Sequence, residues 1–429
     1  MLKGKVIQTS LTSREHFLRT VNHQQPDRIV MDLGATAVTG IHVKAVEGIR
    51  NYLGLGKSPI RVIEPFQMLG EVGWELVDSL GIDVVGAWGQ NNMFGFNNHA
   101  PFKEWKTPWG QKVLVPKNFN VTKDKNGDFL IYPEGDTTAA PCARMPKTGF
   151  FFDAIIRQEP IIEEELDPVD NLEEFGLISD VDLEHWRTEV DRVYYSGKAV
   201  IAGFGGTALG DIALVPGLQL KHPKGIRDVA EWYMSTIMRP DYIKTIFEKQ
   251  VEIAIENLKR IFSVVGNKVN AIFECGTDFG TQDSTFCSPD QFDEMWLPYY
   301  RKINDWVHEN TQWKTFKHSC GAVETLLDNF IRAGFDIINP VQINAAGMDP
   351  KKIKDKYGKH LVFWGGGIDT QKMLSFGTPE QVKEQVLRNC EIFNKDGGFV
   401  FNTVHNIQAN VPVKNIAAML DAIRLYNGR

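Results

Sequence analysis

No run of 18 or more apolar residues occurs in this chain of 429 residues, so the sequence predicts no helix across a bilayer and no membrane partner. There is no surplus of basic charge: 47 Lys and Arg face 54 Asp and Glu, for a net charge of −7. That balance excludes a phosphate-tracking surface and, with it, a nucleic-acid partner. Cysteine is scarce. The five, Cys142, Cys275, Cys287, Cys320 and Cys390, are scattered and odd in number, which fits a reducing cytoplasm and not a disulfide framework. No Gly-x-Ser-x-Gly elbow exists, so a Ser-His-Asp hydrolase is not expected. The glycine-rich Gly203-Phe204-Gly205-Gly206-Thr207 lacks both the Lys-Ser/Thr tail of a P-loop and the dinucleotide spacing. Its reading is close backbone approach at a barrel mouth. The first residues, Met1-Leu2-Lys3-Gly4-Lys5-Val6-Ile7-Gln8, lack the apolar stretch of a signal peptide.

What the chain does have is a rhythm. Short apolar runs at 29–33, 81–86, 199–203, 269–273, 313–316, 337–338, 361–364 and 398–401 read as strands. Amphipathic segments at 226–237, 240–265, 288–310, 322–333, 378–395 and 413–427 fall between the later ones. Strands alternating with helices imply a parallel sheet. Eight of them favour an α/β fold of the (β/α)8 TIM barrel type over an open doubly wound sheet. The chain is long for one domain, but a barrel with insertions reaches this size, and residues 1–429 read as a single barrel domain. Residues 100–150 change character: Trp105, Trp109, Val113, Val115, Phe129 and Ile131 sit among Gly, Asn, Asp and Pro, with an Asn126-Gly127 hairpin signal. This stretch reads as a β-rich insertion. At the start, Thr12 or Ser13 caps a helix carrying Phe17 and Val21.

In such a barrel the chemistry sits at strand C-termini. The 313–316 strand is followed by His318 and Cys320, whose i, i+2 spacing lets both donors turn toward one point. Nitrogen and sulfur donors together suit Zn²⁺. After the other strands come Glu274, Cys275, Asp278 and Gln282; then Gln342; then the glycines 365–367 and Asp369; then Asn402, His405 and Asn406. The expected metal set is His318, Cys320 and His405, with Glu274 as fourth ligand or proton handler. Glu274 and Asp278 are the candidate catalytic carboxylates. Gln282, Gln342, Trp364 and Asn406 are the candidate substrate-binding residues, with Trp88 a second mouth aromatic. Cys275 is a spare donor that reads more simply as a buried thiol.

Several of these stretches carry a family resemblance: Thr12-Ser13-Arg14-Glu15 through Pro26-Asp27-Arg28, Asp278-Phe279-Gly280-Thr281-Gln282, His318-Ser319-Cys320-Gly321, Gly367-Ile368-Asp369-Thr370-Gln371 and Asn402-Thr403-Val404-His405-Asn406-Ile407. The chain resembles the uroporphyrinogen decarboxylase superfamily, and within it the zinc- and corrinoid-dependent methyltransferase branch. The resemblance implies a TIM barrel. It departs from the true decarboxylases where Met31-Asp32-Leu33-Gly34-Ala35-Thr36 replaces their arginine-rich propionate-binding motif. It departs from the methyltransferase branch at the last strand, where His405 stands in place of a second cysteine. A zinc with fewer thiolates is the stronger Lewis acid and suits an ether oxygen. The resemblance therefore implies transfer of a methyl group from a small methylated donor, such as a methyl ether, to a separate corrinoid protein. The chain lacks the Asp-x-His-x-x-Gly segment that would ligate corrinoid cobalt itself. A homodimer is compatible with all of this. The alternatives are a cofactor-free lyase like the decarboxylases and a non-catalytic binding barrel.

Overall fold

The computed structural model describes residues 11–99 and 101–428; the N-terminal stretch read for a signal peptide lies outside them. Eight parallel strands form the barrel wall. We number them β1 (Val30–Met31), β2 (Val84–Ala87), β3 (Ala199–Ala202), β4 (Ala271–Cys275), β5 (Lys314–His318), β6 (Ile337–Asn339), β7 (Val362–Trp364) and β8 (Phe399–Phe401). Pairing runs without a skip from β2 to β8 and then to β1. The expected (β/α)8 architecture is present, with the bounds of all eight strands within three residues of the apolar runs.

The join between β1 and β2 is made differently. The Asp83 N–H donates to Met31 O at 2.8 Å. The Asp83 carboxylate takes both Arg28 nitrogens at 2.6 Å, the Ser13 hydroxyl at 2.7 Å and the Met31 N–H at 3.0 Å. Arg28 and Asp83 are both buried. This pair stitches the nearly closed barrel where no strand ladder does.

Alternation along each strand divides the core in two. Val30, Val84, Ile201, Ala271, Phe316, Ile337, Val362, Trp364 and Val400 pack together in the barrel interior with Phe17 and Val21. These last two come from helix Ser13–Val21, fixed by a capping box between Thr12 and Glu15. The opposite strand faces meet the outer helices in a second, larger cluster.

The β-rich insertion is present as two four-stranded sheets. One is antiparallel and built from Val121–Lys123, Phe129–Ile131, Ala143–Met145 and Asp153–Ala154. Its first hairpin turns at Gly127, whose φ is +84°. The other joins Phe102–Lys106 and Lys112–Pro116 to Ile60–Glu64 and Leu69–Gly70. The insertion thus recruits strands from the β1–β2 connection. Helices Val43–Tyr52, Asp180–Tyr194 and Pro350–Tyr357 were not expected from the sequence. The 288–310 segment breaks at Trp296 into Pro289–Met295 and Leu297–Asn310. No helix among the described residues is long and apolar enough to cross a membrane.

Candidate metal centre

Strand β5 sets the site. Phe316 points into the barrel. Lys317 points away, its ammonium among the rings of Phe279, Tyr300 and Phe330. His318 therefore points inward again, at the mouth. Its register partner on β6 is Asn339, and His318 Nδ1 lies 2.6 Å from Asn339 Oδ1. The Asn339 amide nitrogen donates to Trp364 O at 2.8 Å, so Oδ1 is the acceptor and Nδ1 of the imidazole carries the proton. Nε2 is left with its lone pair, 3.5 Å from Cys320 Sγ. An imidazole whose second nitrogen is tied down in this way is the usual state of a metal-bound histidine.

Cys320 is held by the turn that follows. Its N–H donates to Asp278 Oδ1 at 2.6 Å, and the Gly321 N–H donates to Gln342 Oε1 at 2.8 Å. Gly321 has a φ of +93°, and a Cβ there would lie 2.4 Å from backbone atoms of Gly280 and Thr281. Only glycine fits. His405, four residues beyond β8, has a φ of +68°. That conformation is uncommon for a residue with a Cβ, and the Thr403 hydroxyl bonding to His405 O helps to hold it. One donor atom each from His318, Cys320 and His405 lie within 4.8 Å of one another.

Burial dominates the electrostatics. It lowers both imidazoles to about 4, so both are neutral at neutral pH. It pushes the Cys320 thiol well up, with the Asp278 charge adding to the effect. It also raises Asp278, against the pull of the Cys320 N–H.

The donor set fits zinc. Two ligands at zinc–nitrogen and zinc–sulfur distances, spread at the tetrahedral angle, stand about 3.6 Å apart, and the His318–Cys320 pair is at 3.5 Å. Both histidines are neutral, as ligation needs. Three protein donors leave a fourth position open, the pattern of catalytic zinc.

Other expected residues fall differently. Glu274 does not join the three. Strand β4 runs two residues further than expected, and its register with β5 shifts between Phe273 and Cys275. Glu274 is the extra residue of that bulge. Its carboxyl is buried, has no hydrogen-bond partner and is held well above the usual carboxylate range by burial. Asp278 is the carboxylate at the centre, with Oδ1 3.9 Å from His318 Nε2. Gln282 and Gln342 form a relay to the Cys320 turn: Gln342 Nε2 donates to Gln282 Oε1 at 3.0 Å, and Gln282 Nε2 to Asn344 O at 3.0 Å. Asn406 spends its amide on Gly40 N–H, Ala37 O and Gln67 Oε1, holding the loop after β1. Trp364 is no mouth aromatic. It is fully buried between Phe17 and Phe316, its indole N–H on Asp32 Oδ2 at 2.9 Å. Cys275 is a buried thiol 2.8 Å from the Tyr300 hydroxyl and 3.2 Å from Lys317 Nζ.

His318 and His405 look into a cavity of about 450 Å³. Phe66, Trp88, Met93, Leu214 and Phe273 supply apolar wall, and Glu64, Asp211 and Asp278 supply carboxyl groups; among the described residues no Lys or Arg lines it. Cys320 and His405 also border a shallower recess of about 290 Å³, with Gln282, Gln342 and Gln371. The sequence reading missed Asp211, Glu64 and the role of Asn339. Asn339 ends a strand and was findable by position; Asp211 lies in an irregular connection, and Glu64 ends the short strand Ile60–Glu64, outside the eight runs.

Residues 220–426, just under half of the chain, match the uroporphyrinogen decarboxylase (URO-D) family. No curated protein matches the sequence. Among solved structures, a methyltransferase from Methanosarcina mazei superposes with a TM-score of 0.54 at 13% identity, over 97% of this chain and 99% of its own. The fold is thereby shared along essentially the whole length. A GH113 beta-1,4-mannanase aligns with a TM-score of 0.27 at 12% identity, over 57% of this chain and 79% of its own.

Proposed function

We propose that this chain, which matches the uroporphyrinogen decarboxylase family over residues 220–426, is a metal-dependent methyltransferase. It would move a methyl group from a small methylated donor to a corrinoid carried by a separate protein. The observation that carries the reading is the convergence of His318, Cys320 and His405 at the barrel mouth. These three would hold zinc, and zinc there would supply a Lewis acid for a heteroatom of the donor, such as an ether oxygen. The fold neighbour that bears the name methyltransferase supports the same reading.

The chain's own residues prepare the site. Asn339 fixes the His318 tautomer. Asp278 and Gln342 fix the Cys320–Gly321 turn through its two N–H groups. Trp88, Phe66 and Phe273 supply an apolar wall beside the donor. The decarboxylase alternative fares worse. A substrate with many carboxylates would meet Glu64, Asp211 and Asp278 and, among the described residues, no Lys or Arg in the cavity.

Two measurements test the proposal: zinc content after purification without added metal, and methyl transfer to a reduced corrinoid protein. Stoichiometric zinc that is lost in Cys320→Ala, together with loss of transfer, is the expected result. Zinc retained unchanged in Cys320→Ala would refute the assigned ligands, and turnover of uroporphyrinogen by metal-stripped protein would restore the lyase.

A further inference from the structure

The cavity beside His318 and His405 has a sign. Of its lining side chains among the described residues, three are acids and none is a lysine or arginine. Lys317, one residue from a proposed ligand, does not line the cavity, although its charge is felt by Asp211 and Asp278 through the protein. Its ammonium is sealed on the far side of β5, donating to Thr277 O, His318 O and Cys275 Sγ. Aromatic rings of Phe66, Trp88 and Phe273 share the wall with the acids.

The three acids are not equivalent. Both Glu64 oxygens accept backbone N–H groups, from Phe66 at 2.7 Å and Gln67 at 2.9 Å. Asp278 accepts from the Cys320 N–H. Asp211 accepts the Ala213 N–H through Oδ1 at 2.9 Å. Its Oδ2 lies where glycine is required: a Cβ on Gly276 would come within 2.3 Å of it. A bare glycine face thus makes room for this carboxylate at the cavity wall, where Asp211 is 92% buried.

We propose that this cavity contains a subsite for an organic ammonium group, formed by Asp211 and the surrounding aromatic rings. The donor of the proposed reaction is thereby a small methylated molecule that carries an ammonium and no carboxylate. The choice of class rests on the reading of this cavity as the donor site. An ammonium over aromatic faces is attracted by the ring quadrupoles, more strongly when desolvated. A buried carboxylate beside it supplies the counter-charge that burial of a cation demands. A carboxylate-bearing donor would meet these acids, and the zinc proposed beside them, partly neutralised by the Cys320 thiolate, offsets them only in part.

The test compares ligands of one shape and three charges: choline, its uncharged isostere 3,3-dimethylbutan-1-ol, and the anion 3,3-dimethylbutanoate. Binding is read by calorimetry on the full chain with its metal content unaltered. Choline should bind about tenfold more tightly than the neutral isostere, and the anion weakest. In Asp211→Asn the choline preference should collapse, while the neutral isostere keeps its affinity and so reports an intact cavity. Equal or tighter binding of the neutral isostere by the unmodified protein overturns the proposal, as does a choline preference unchanged in Asp211→Asn. No corrinoid acceptor takes part. A protein that prefers choline but moves no methyl group to any corrinoid protein therefore sinks the methyl-transfer reading and leaves the ammonium subsite standing.

Discussion

Replacing Asn339 by alanine isolates what holds His318 in its ligating tautomer. The side chain does two things at once: Oδ1 accepts the imidazole proton at 2.6 Å, and Nδ2 donates to Trp364 O at 2.8 Å. His318 is only 3% exposed, so water does not freely replace the lost acceptor. An orphaned donor in such a place costs about 1–3 kcal/mol. Loss of an outer hydrogen-bond partner weakens a metal site by about 10- to 100-fold, or about 1.4–2.7 kcal/mol. Both figures describe the same lost contact and agree. Zinc affinity measured by competition with a chromogenic chelator should fall by that factor in Asn339→Ala. Asn339→Asp separates the two bonds. Its carboxylate still accepts from Nδ1 but gives nothing to Trp364 O, so zinc affinity should be kept while thermal stability drops. If Asn339→Ala binds zinc within about twofold of the unmodified protein, while His318→Ala abolishes binding, the tautomer argument is wrong.

The barrel join and the cavity acid yield two further tests. Asp83→Asn leaves the buried Arg28 guanidinium without its charge partner, and urea unfolding should report a loss of about 3–5 kcal/mol; a loss under about 1 kcal/mol would mean the strands close without it. Asp211 is raised by burial from 3.8 to about 6. Across that window the folded state binds more protons than the unfolded one, so this group's contribution falls as pH rises, by on the order of 3 kcal/mol when complete. Asparagine carries no such charge. Asp211→Asn should therefore exceed the unmodified protein in stability above about pH 6 and converge with it near about pH 4; no gain at about pH 8 would contradict the burial argument.

The barrel was legible because its strands are short apolar runs buried on both faces, and such runs are visible without periodicity. The convergence of His318, Cys320 and His405 was legible because they follow two of those runs. Glu274 misled because strand length is not written in apolarity: β4 continues through a glutamate and a cysteine, and one bulged residue changes which group reaches the mouth. Trp364 misled for a related reason. It ends its strand, but on the inward face over helix Ser13–Val21, where an indole fills the barrel rather than edging it. Asp211 was hidden in a long irregular connection between β3 and helix Val229–Met238. Helices Asp180–Tyr194 and Pro350–Tyr357 bury only four and three residues each, too narrow a stripe to stand out from polar sequence.

The carboxylate of Asp83 has a mechanical consequence. A ladder of backbone bonds between strands must unzip rung by rung, whereas a single staple can let go at once. The staple sits at the N-terminal ends of β1 and β2, on the face of the barrel opposite the mouth. Opening of the barrel would start there, and amides on either side of the seam would be the first in the wall to trade their protons with solvent.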